Sequence, residues 1–279
     1  MTGTLLSLGH GYSARAVAKL LQPLGWQISG TTRSADKIAA LKATGVTPLI
    51  VPGDPLDLSG VTHLLISASP DADGDPFLPL IKEALATQTP PWIGYLSTTG
   101  VYGDHQGRWV DEETPCTPGN QRGKWRVRAE QQWLEHGAHI FRLAGIYGPG
   151  RGPFSKVRNG TARRIIKPGQ VFGRIHVEDI AQVVVASIDR PNPGRIYNVC
   201  DDEPAPPEDV LGYAAELLGV PLPPEEDFET AEMTPMARSF YAESRRVRND
   251  RIKSELGVRL RYPDYRSGLQ ALLAAEAIA

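Results

Sequence analysis

The chain has 279 residues, enough to bury a full core as one large domain or as a domain with a smaller companion. Its 30 basic and 32 acidic residues leave a formal net charge of -2, which excludes a general polyanion-binding protein. Two cysteines, Cys116 and Cys200, make neither a metal pattern nor a disulfide framework, so both read as small buried apolar residues in a reducing compartment. No basic-then-apolar leader precedes the first strand, and no apolar run approaches bilayer length. The expectation is a cytoplasmic protein that engages neither membrane nor nucleic acid.

The first element is the apolar strand Leu5 to Leu8, which runs into Gly9-His10-Gly11-Tyr12-Ser13-Ala14 and then into the helical pattern Val17 to Leu21. Gly9 permits a tight turn, Gly11 lets bare backbone approach a pyrophosphate, and Ala14 lets the helix sit close on the sheet. The helix N-terminus then presents unpaired N–H groups to the anion. This turn therefore predicts a dinucleotide cradle built from Gly9, His10, Gly11, Tyr12, Ser13 and Ala14. A second strand, Trp26 to Gly30, leads into Thr31-Thr32-Arg33-Ser34. A free ribose 2'-hydroxyl meets an acid at this point in the fold, whereas a 2'-phosphate needs a guanidinium and hydroxyl donors. Thr32, Arg33 and Ser34 thus point to NADP in preference to NAD, the alternative being that Arg33 is a solvated loop cation.

Strand-like runs at Leu49 to Pro52, His63 to Ala68, Trp92 to Ser97 and Ala138 to Leu143 then alternate with amphipathic stretches at Ile38 to Ala43, Phe77 to Ala86 and Arg126 to Glu135. Such alternation predicts an α/β protein with a Rossmann-like doubly wound parallel sheet. Ligands of open sheets sit beyond the carboxyl ends of the strands, so the residues there are the candidates. Asp54, after the third strand, is positioned to accept from an adenine amine or to close a plain turn. Ala68 and Ser69, after the fourth, are small enough for a cofactor ribose to lie against the backbone. After the fifth, Thr98, Thr99 and Tyr102 carry hydroxyls in the run Ser97-Thr98-Thr99-Gly100-Val101-Tyr102-Gly103.

That run, the acidic Glu112-Glu113-Thr114-Pro115-Cys116-Thr117-Pro118, the stretch Arg142 to Gly150 and the stretch Arg174 to Ala181 resemble, in order, four motifs of the NAD(P)-dependent epimerase/dehydratase family. These are the extended short-chain dehydrogenases/reductases. The resemblance implies a nicotinamide dinucleotide cofactor, a Rossmann core and oxidoreductase or epimerase chemistry. Two departures put the chain in an atypical branch. Its Gly-x-Gly-x-x-Ala turn replaces Gly-x-x-Gly-x-x-Gly, and the family's catalytic Tyr-x-x-x-Lys is absent. With the register fixed by Pro118 and by Ala129-Glu130, Arg122 stands in the tyrosine's place and Arg126 in the lysine's. A guanidinium stays protonated and cannot shuttle a proton near neutral pH. Tyr102 is then the leading phenol for acid/base work, with Thr98 or Thr99 hydrogen-bonding a substrate. Arg126 would hold a ribose or phosphate and lower the phenol's pKa. The other expectation for Tyr102 is a ring packed over the cofactor without chemistry.

From Arg151 to Val177 lie Arg151, Lys156, Arg158, Arg163, Arg164, Lys167 and Arg174, without one acid. Arg122, Arg151 and Arg174 are the candidates to bind an anionic substrate group, the alternative being a solvated basic loop. A further strand, Arg195 to Cys200, precedes a helix from Pro207 to Leu218 and an acidic, proline-containing loop from Pro221 to Glu232. The expected organisation is a dinucleotide-binding core over residues 1–150 and a smaller substrate-binding portion over 151–279, interleaved with the last core strand and helices near 174–200. The expected function is that of an NADP(H)-dependent oxidoreductase or epimerase/dehydratase-like enzyme with a non-standard proton donor. Its substrate would be an anionic small-molecule carbonyl or a nucleotide-sugar-like compound. The alternative is a non-catalytic NADP(H)-binding redox sensor; either would be a monomer or homodimer.

Overall fold

A computed structural model describes residues 2–277. Seven strands, β1 (Thr4–Leu8), β2 (Gln27–Thr32), β3 (Thr47–Ile50), β4 (His63–Ile66), β5 (Trp92–Thr98), β6 (His139–Leu143) and β7 (Ile196–Val199), form one sheet. The order is β7-β6-β5-β4-β1-β2-β3 and every pairing is parallel. The direction of winding reverses between β1 and β4, which opens a crevice above their carboxyl ends.

Alternation along the strands feeds two apolar layers. Leu5, Leu65, Trp92, Leu96 and Phe141 face one side, where helices α1 (Tyr12–Leu21) and α4 (Val177–Asp189) pack against the sheet and each other. Leu6, Leu8, Leu64, Ile66, Ile93, Tyr95 and Ile140 face the other, covered by α2 (Leu78–Thr87) and α3 (Gln121–Leu134) through Ile81, Leu85, Ala129 and Trp133. Each of the leucine, isoleucine and phenylalanine side chains among these, taken fully out of water, contributes about 1.5–3 kcal/mol. A third, smaller apolar cluster joins Tyr147, Phe154 and Val157 to Val210 and Ala214 of α5 (Pro207–Leu218) and to Leu269 and Leu272 of α6 (Tyr265–Glu276). Short parallel pairings brace the chain around it, Gly145–Tyr147 on Arg174–His176 and Arg164–Ile166 on Glu225–Asp227.

Several boundaries shift by one or two residues from the sequence reading, and two differences bear on the site. β3 ends at Ile50 rather than Pro52, because Asp54 turns back: its Oδ2 accepts from Ile50 N at 2.7 Å and its own N–H donates to Ile50 O. Helix α3 begins at Gln121, earlier than Arg126, because the Asn120 side chain caps it by accepting from Gly123 N at 2.9 Å. Periodicity misses that first turn since Gln121, Arg122, Gly123 and Lys124 offer no apolar position. The consequence is that Arg122 and Arg126 lie on successive turns of one helix. No helix among the described residues is long and apolar enough to cross a membrane.

Candidate cofactor and substrate site

The turn after β1 is locked from below. Gly9 sits at φ +77°, and a Cβ there would stand 2.9 Å from Ala68 N, so both the turn and the approach of the next loop require glycine. Its N–H donates to Thr31 Oγ1 at 2.7 Å, and the Ser67 hydroxyl donates to its carbonyl. Gly11 differs. At φ -98° it has ordinary backbone, and a Cβ would meet nothing nearer than Gly9 O at 3.7 Å. No protein contact demands glycine there, so the free space faces outward from the N-terminus of α1. That helix has no side-chain cap and no acid in its first turn, leaving the amides of Tyr12, Ser13 and Ala14 without partners among the described residues. The cradle fits a diphosphate.

His10 contributes differently from the sequence reading. Its N–H is taken by Thr31 O at 3.1 Å, so it is not open to an anion, and its ring is buried against Gly30. Neither ring nitrogen has a partner among the described residues. Burial, helped by Arg15, lowers its pKa from 6.5 to about 4. Between those values the unfolded chain takes a proton that the folded chain refuses. The contribution of neutral His10 is therefore intact above pH 6.5 and is lost as pH falls toward 4, at about 1.4 kcal/mol per pH unit for one full proton. In urea unfolding series across this window, His10→Leu should flatten the acid loss of stability relative to wild type; equal slopes would contradict the assignment.

At the end of β2, Thr32 Oγ1 accepts from Ser34 N at 3.2 Å, and the Ser34 hydroxyl donates to Asp36 at 2.9 Å. Arg33 is exposed and has no hydrogen bond or ion pair among the described residues. Asp54 is the plain turn, its carboxylate engaged with Ile50 as described, which removes one of its oxygens from any adenine contact.

Beyond β4 and β5 the central residue is Arg126. Its NH1 nitrogen donates to Ala68 O at 3.3 Å, Tyr95 Oη at 2.9 Å and Leu96 O at 3.1 Å, and NH2 reaches Ser69 Oγ at 3.4 Å. Its guanidinium is thus held at the mouth of the crevice against both loops named by the sequence. Thr98 is half-buried, with Oγ1 accepting from Gly100 N at 3.1 Å. Thr99 is buried beneath it. Arg122 is exposed one turn before Arg126, and its NH2 lies 3.5 Å from Ser239 Oγ on the short helix Pro235–Phe240.

Tyr102 is corrected. Its side chain has no solvent exposure; the hydroxyl donates to Asn198 Oδ1 at 2.7 Å and accepts from Arg142 at 3.0 Å. Burial pushes the phenol up to about 12, even though Arg142 pulls it down. It is part of a sealed polar chain under the crevice. Arg142 makes three hydrogen bonds to Glu130, the shortest 2.8 Å, and the Ser97 hydroxyl donates to the same carboxylate. A phenol locked this way neither reaches a substrate nor packs over a cofactor.

The basic segment is corrected too. Arg158 pairs with Glu276, Arg163 with Glu226 and Arg164 with Glu225, while Lys167 donates to Tyr241 O. Arg174 turns inward, its NH1 donating to Phe172 O at 2.9 Å and Ala205 O at 3.1 Å, with Asp201 buried nearby. Arg163 and Arg164 thus meet acids of the stretch that follows in sequence, and Arg158 meets Glu276 on α6, which no local reading of either segment shows. Arg151 lies elsewhere, over the Tyr12 ring at 5.7 Å, and Tyr12 Oη donates to Pro149 O at 3.0 Å. It therefore stands beside the α1 cradle, apart from the paired cations of the segment.

Sequence reasoning missed Arg245. A Cβ added to Gly100 would stand 3.4 Å from Thr98 Oγ1 and 3.9 Å from Arg245 NH2, so the two line one surface. Arg245 also donates to Gly103 O at 2.6 Å and pairs with Glu243 at 2.8 Å. Its only signal was membership of the arginine-rich run from Arg245 to Arg251.

Sheet order and the α1 cradle define a Rossmann-like α/β architecture of the epimerase/dehydratase type. No family model matches the chain. It is 31% identical to Protein YeeZ of Escherichia coli (strain K12), over 92% of this chain and 95% of that protein. The chain belongs to the family of Protein YeeZ, an atypical branch of the NAD(P)-dependent epimerase/dehydratase family. Among solved structures, a functionally unknown conserved protein from Silicibacter pomeroyi is 63% identical, with TM-score 0.96 over 98% of this chain and 99% of that one. A protein from Methylobacillus flagellatus, provisionally named an NAD-dependent epimerase/dehydratase, is 27% identical, with TM-score 0.75 over 99% of each chain. UDP-glucuronic acid 4-epimerase from Bacillus cereus, solved in complex with NAD, shares the fold at 15% identity and TM-score 0.74, over 96% of each chain.

Proposed function

We propose that this protein binds NADP(H) and catalyses hydride transfer between the cofactor and an anionic small-molecule carbonyl compound. The observation that carries the reading is Gly11, a glycine whose missing Cβ serves no protein contact but leaves room above three unpaired helix amides. In this reading the amides of Tyr12, Ser13 and Ala14 hold the diphosphate, and Arg151 adds charge beside them. Thr32, Arg33 and Ser34 take the 2'-phosphate. Ser69 lies against the nicotinamide ribose, Arg126 stands beside it at the mouth of the crevice, and Thr98 hydrogen-bonds the substrate. When bound, the nicotinamide supplies or accepts hydride at C4. The relatives whose names mention a cofactor name NAD, so the preference for NADP rests on the Thr32-Arg33-Ser34 loop, and chiefly on the Arg33 charge.

Arg33→Gln tests that preference. A charge-assisted contact is worth about 1.5–3 kcal/mol, so NADPH affinity should fall by about ten- to a hundredfold while NADH affinity is unchanged. Equal losses for both cofactors would refute the role of Arg33. Turnover is tested by NADPH consumption across aldehydes, 2-oxo acids and nucleotide-sugars. Silence across that panel, with tight NADPH binding, favours the second reading, a non-catalytic NADP(H)-dependent redox sensor. The sealing of Tyr102 and the replacement of the family's acid/base pair by Arg122 and Arg126 are what keep that reading open.

A further inference from the structure

We infer that Arg122 and Arg126 form a carboxylate-binding site at the crevice, so that the substrates of this protein are small carboxylates rather than neutral carbonyl compounds. The inference rests on the cofactor reading above for its place in the reaction, though not for its geometry.

Two guanidinium groups four residues apart on α3 repel each other, and one of them, Arg122, lies in the first turn, where the helix dipole also disfavours a cation. Lys124 adds to the excess, and no acid in that turn offsets it. Neither Arg122 nor Arg126 belongs to any ion pair among the described residues. This sets them apart from Arg158, Arg163 and Arg164 of the basic segment, each of which has a carboxylate partner. Two carboxyls on neighbouring segments form no ion pair with them. Glu243 pairs with Arg245 at 2.8 Å and accepts from Asn120 Nδ2 at 3.2 Å. Asp75 accepts from the amides of Phe77 and Leu78 through Oδ1, while its buried Oδ2 makes no hydrogen bond among the described residues and forms no ion pair with Arg126; burial pushes the carboxyl up, although Arg126 opposes the shift.

The geometry also explains why Arg126 is an arginine. Its NH1 edge is anchored on Ala68 O, Leu96 O and Tyr95 Oη, which fixes the planar group while Nε has no partner among the described residues. A lysine would supply one point charge and lose either the anchor or the ligand. Arg122, with only a 3.5 Å contact to Ser239, can swing toward the same anion. Thr98 lies two residues beyond Leu96, the carbonyl that Arg126 holds, so a carboxylate on the arginines places an adjacent carbonyl group toward the Thr98 hydroxyl.

The probe is oxamate, an unreactive analogue of a 2-oxo carboxylate, titrated calorimetrically into the NADP⁺-loaded protein and compared with its uncharged ester, ethyl oxamate. Oxamate should bind at least about tenfold more tightly than the ester. Arg122→Gln and Arg126→Gln should each weaken oxamate about tenfold or more, with Arg158→Gln, on the far lobe, unchanged. Arg122 is exposed, so its variant reports on the site even where loss of the Arg126 anchor disturbs the loops. Absence of oxamate binding, equal binding of ester and acid, or an unaltered affinity in Arg122→Gln overturns the inference. Should the protein bind no dinucleotide, the cofactor reading fails by itself. The same titration of the cofactor-free protein, wild type against Arg122→Gln, then decides the arginine site separately.

Discussion

Gly11→Ala should fold with wild-type stability and lose NADPH affinity by at least about tenfold, because the new methyl group fills space beside the α1 amides that a diphosphate would take. The added Cβ has no protein neighbour within 3.7 Å, and φ of -98° suits any residue. Folding therefore gains no clash. Gly9→Ala supplies the contrast, since its Cβ would meet Ala68 N at 2.9 Å on a backbone at φ +77°. That variant should lose about 1–3 kcal/mol of stability as well as binding. Thermal unfolding of both variants, set beside NADPH titration, separates a glycine kept for a ligand from a glycine kept for the turn. A large fall in stability for Gly11→Ala, or unimpaired NADPH binding, would show that the turn serves only the fold.

The largest effect on stability is expected at Glu130. Its carboxylate is 2% exposed, accepts three hydrogen bonds from Arg142 and one from Ser97, and so stands at the centre of the polar chain that ends on Tyr102 and Asn198. Glu130→Ala would leave a guanidinium buried without its counter-ion, which costs about 3–5 kcal/mol. Glu130→Gln keeps an acceptor of nearly the same shape and should lose less. Urea midpoints give the order: wild type, then Gln, then Ala. If the alanine variant is within about 1 kcal/mol of wild type, the network is not the support assigned to it here.

That network marks the boundary between what the chain's pattern conveys and what it does not. Strand-helix alternation and the Gly9 to Ala14 turn are local signals, and they placed the parallel sheet, its winding and the cradle. Arg126, placed by register against Ala129-Glu130, lies against Ala68 and Ser69 because helical spacing and the strand ends fix all three independently. Tyr102 could not be read the same way. Its burial depends on Arg142 and Asn198, 40 and 96 residues away, and no spacing rule connects them. The basic segment misled for the same reason: Arg163 meets Glu226 and Arg158 meets Glu276 across 63 and 118 residues. A run of like charges is informative only once its partners are known. His10 shows a further limit, since a residue in the right motif can have its amide taken by the neighbouring strand.

A dinucleotide in the α1 cradle, with its extra phosphate on Arg33, underlies the proposed activity. Isothermal titration of the wild-type protein with NADPH and, separately, with NADH tests this most directly. One equivalent of NADPH should bind with saturable heat, and NADH at least about tenfold more weakly. No heat with either cofactor would contradict the central claim, while equal affinities would remove the role given to Arg33 and leave the cradle standing.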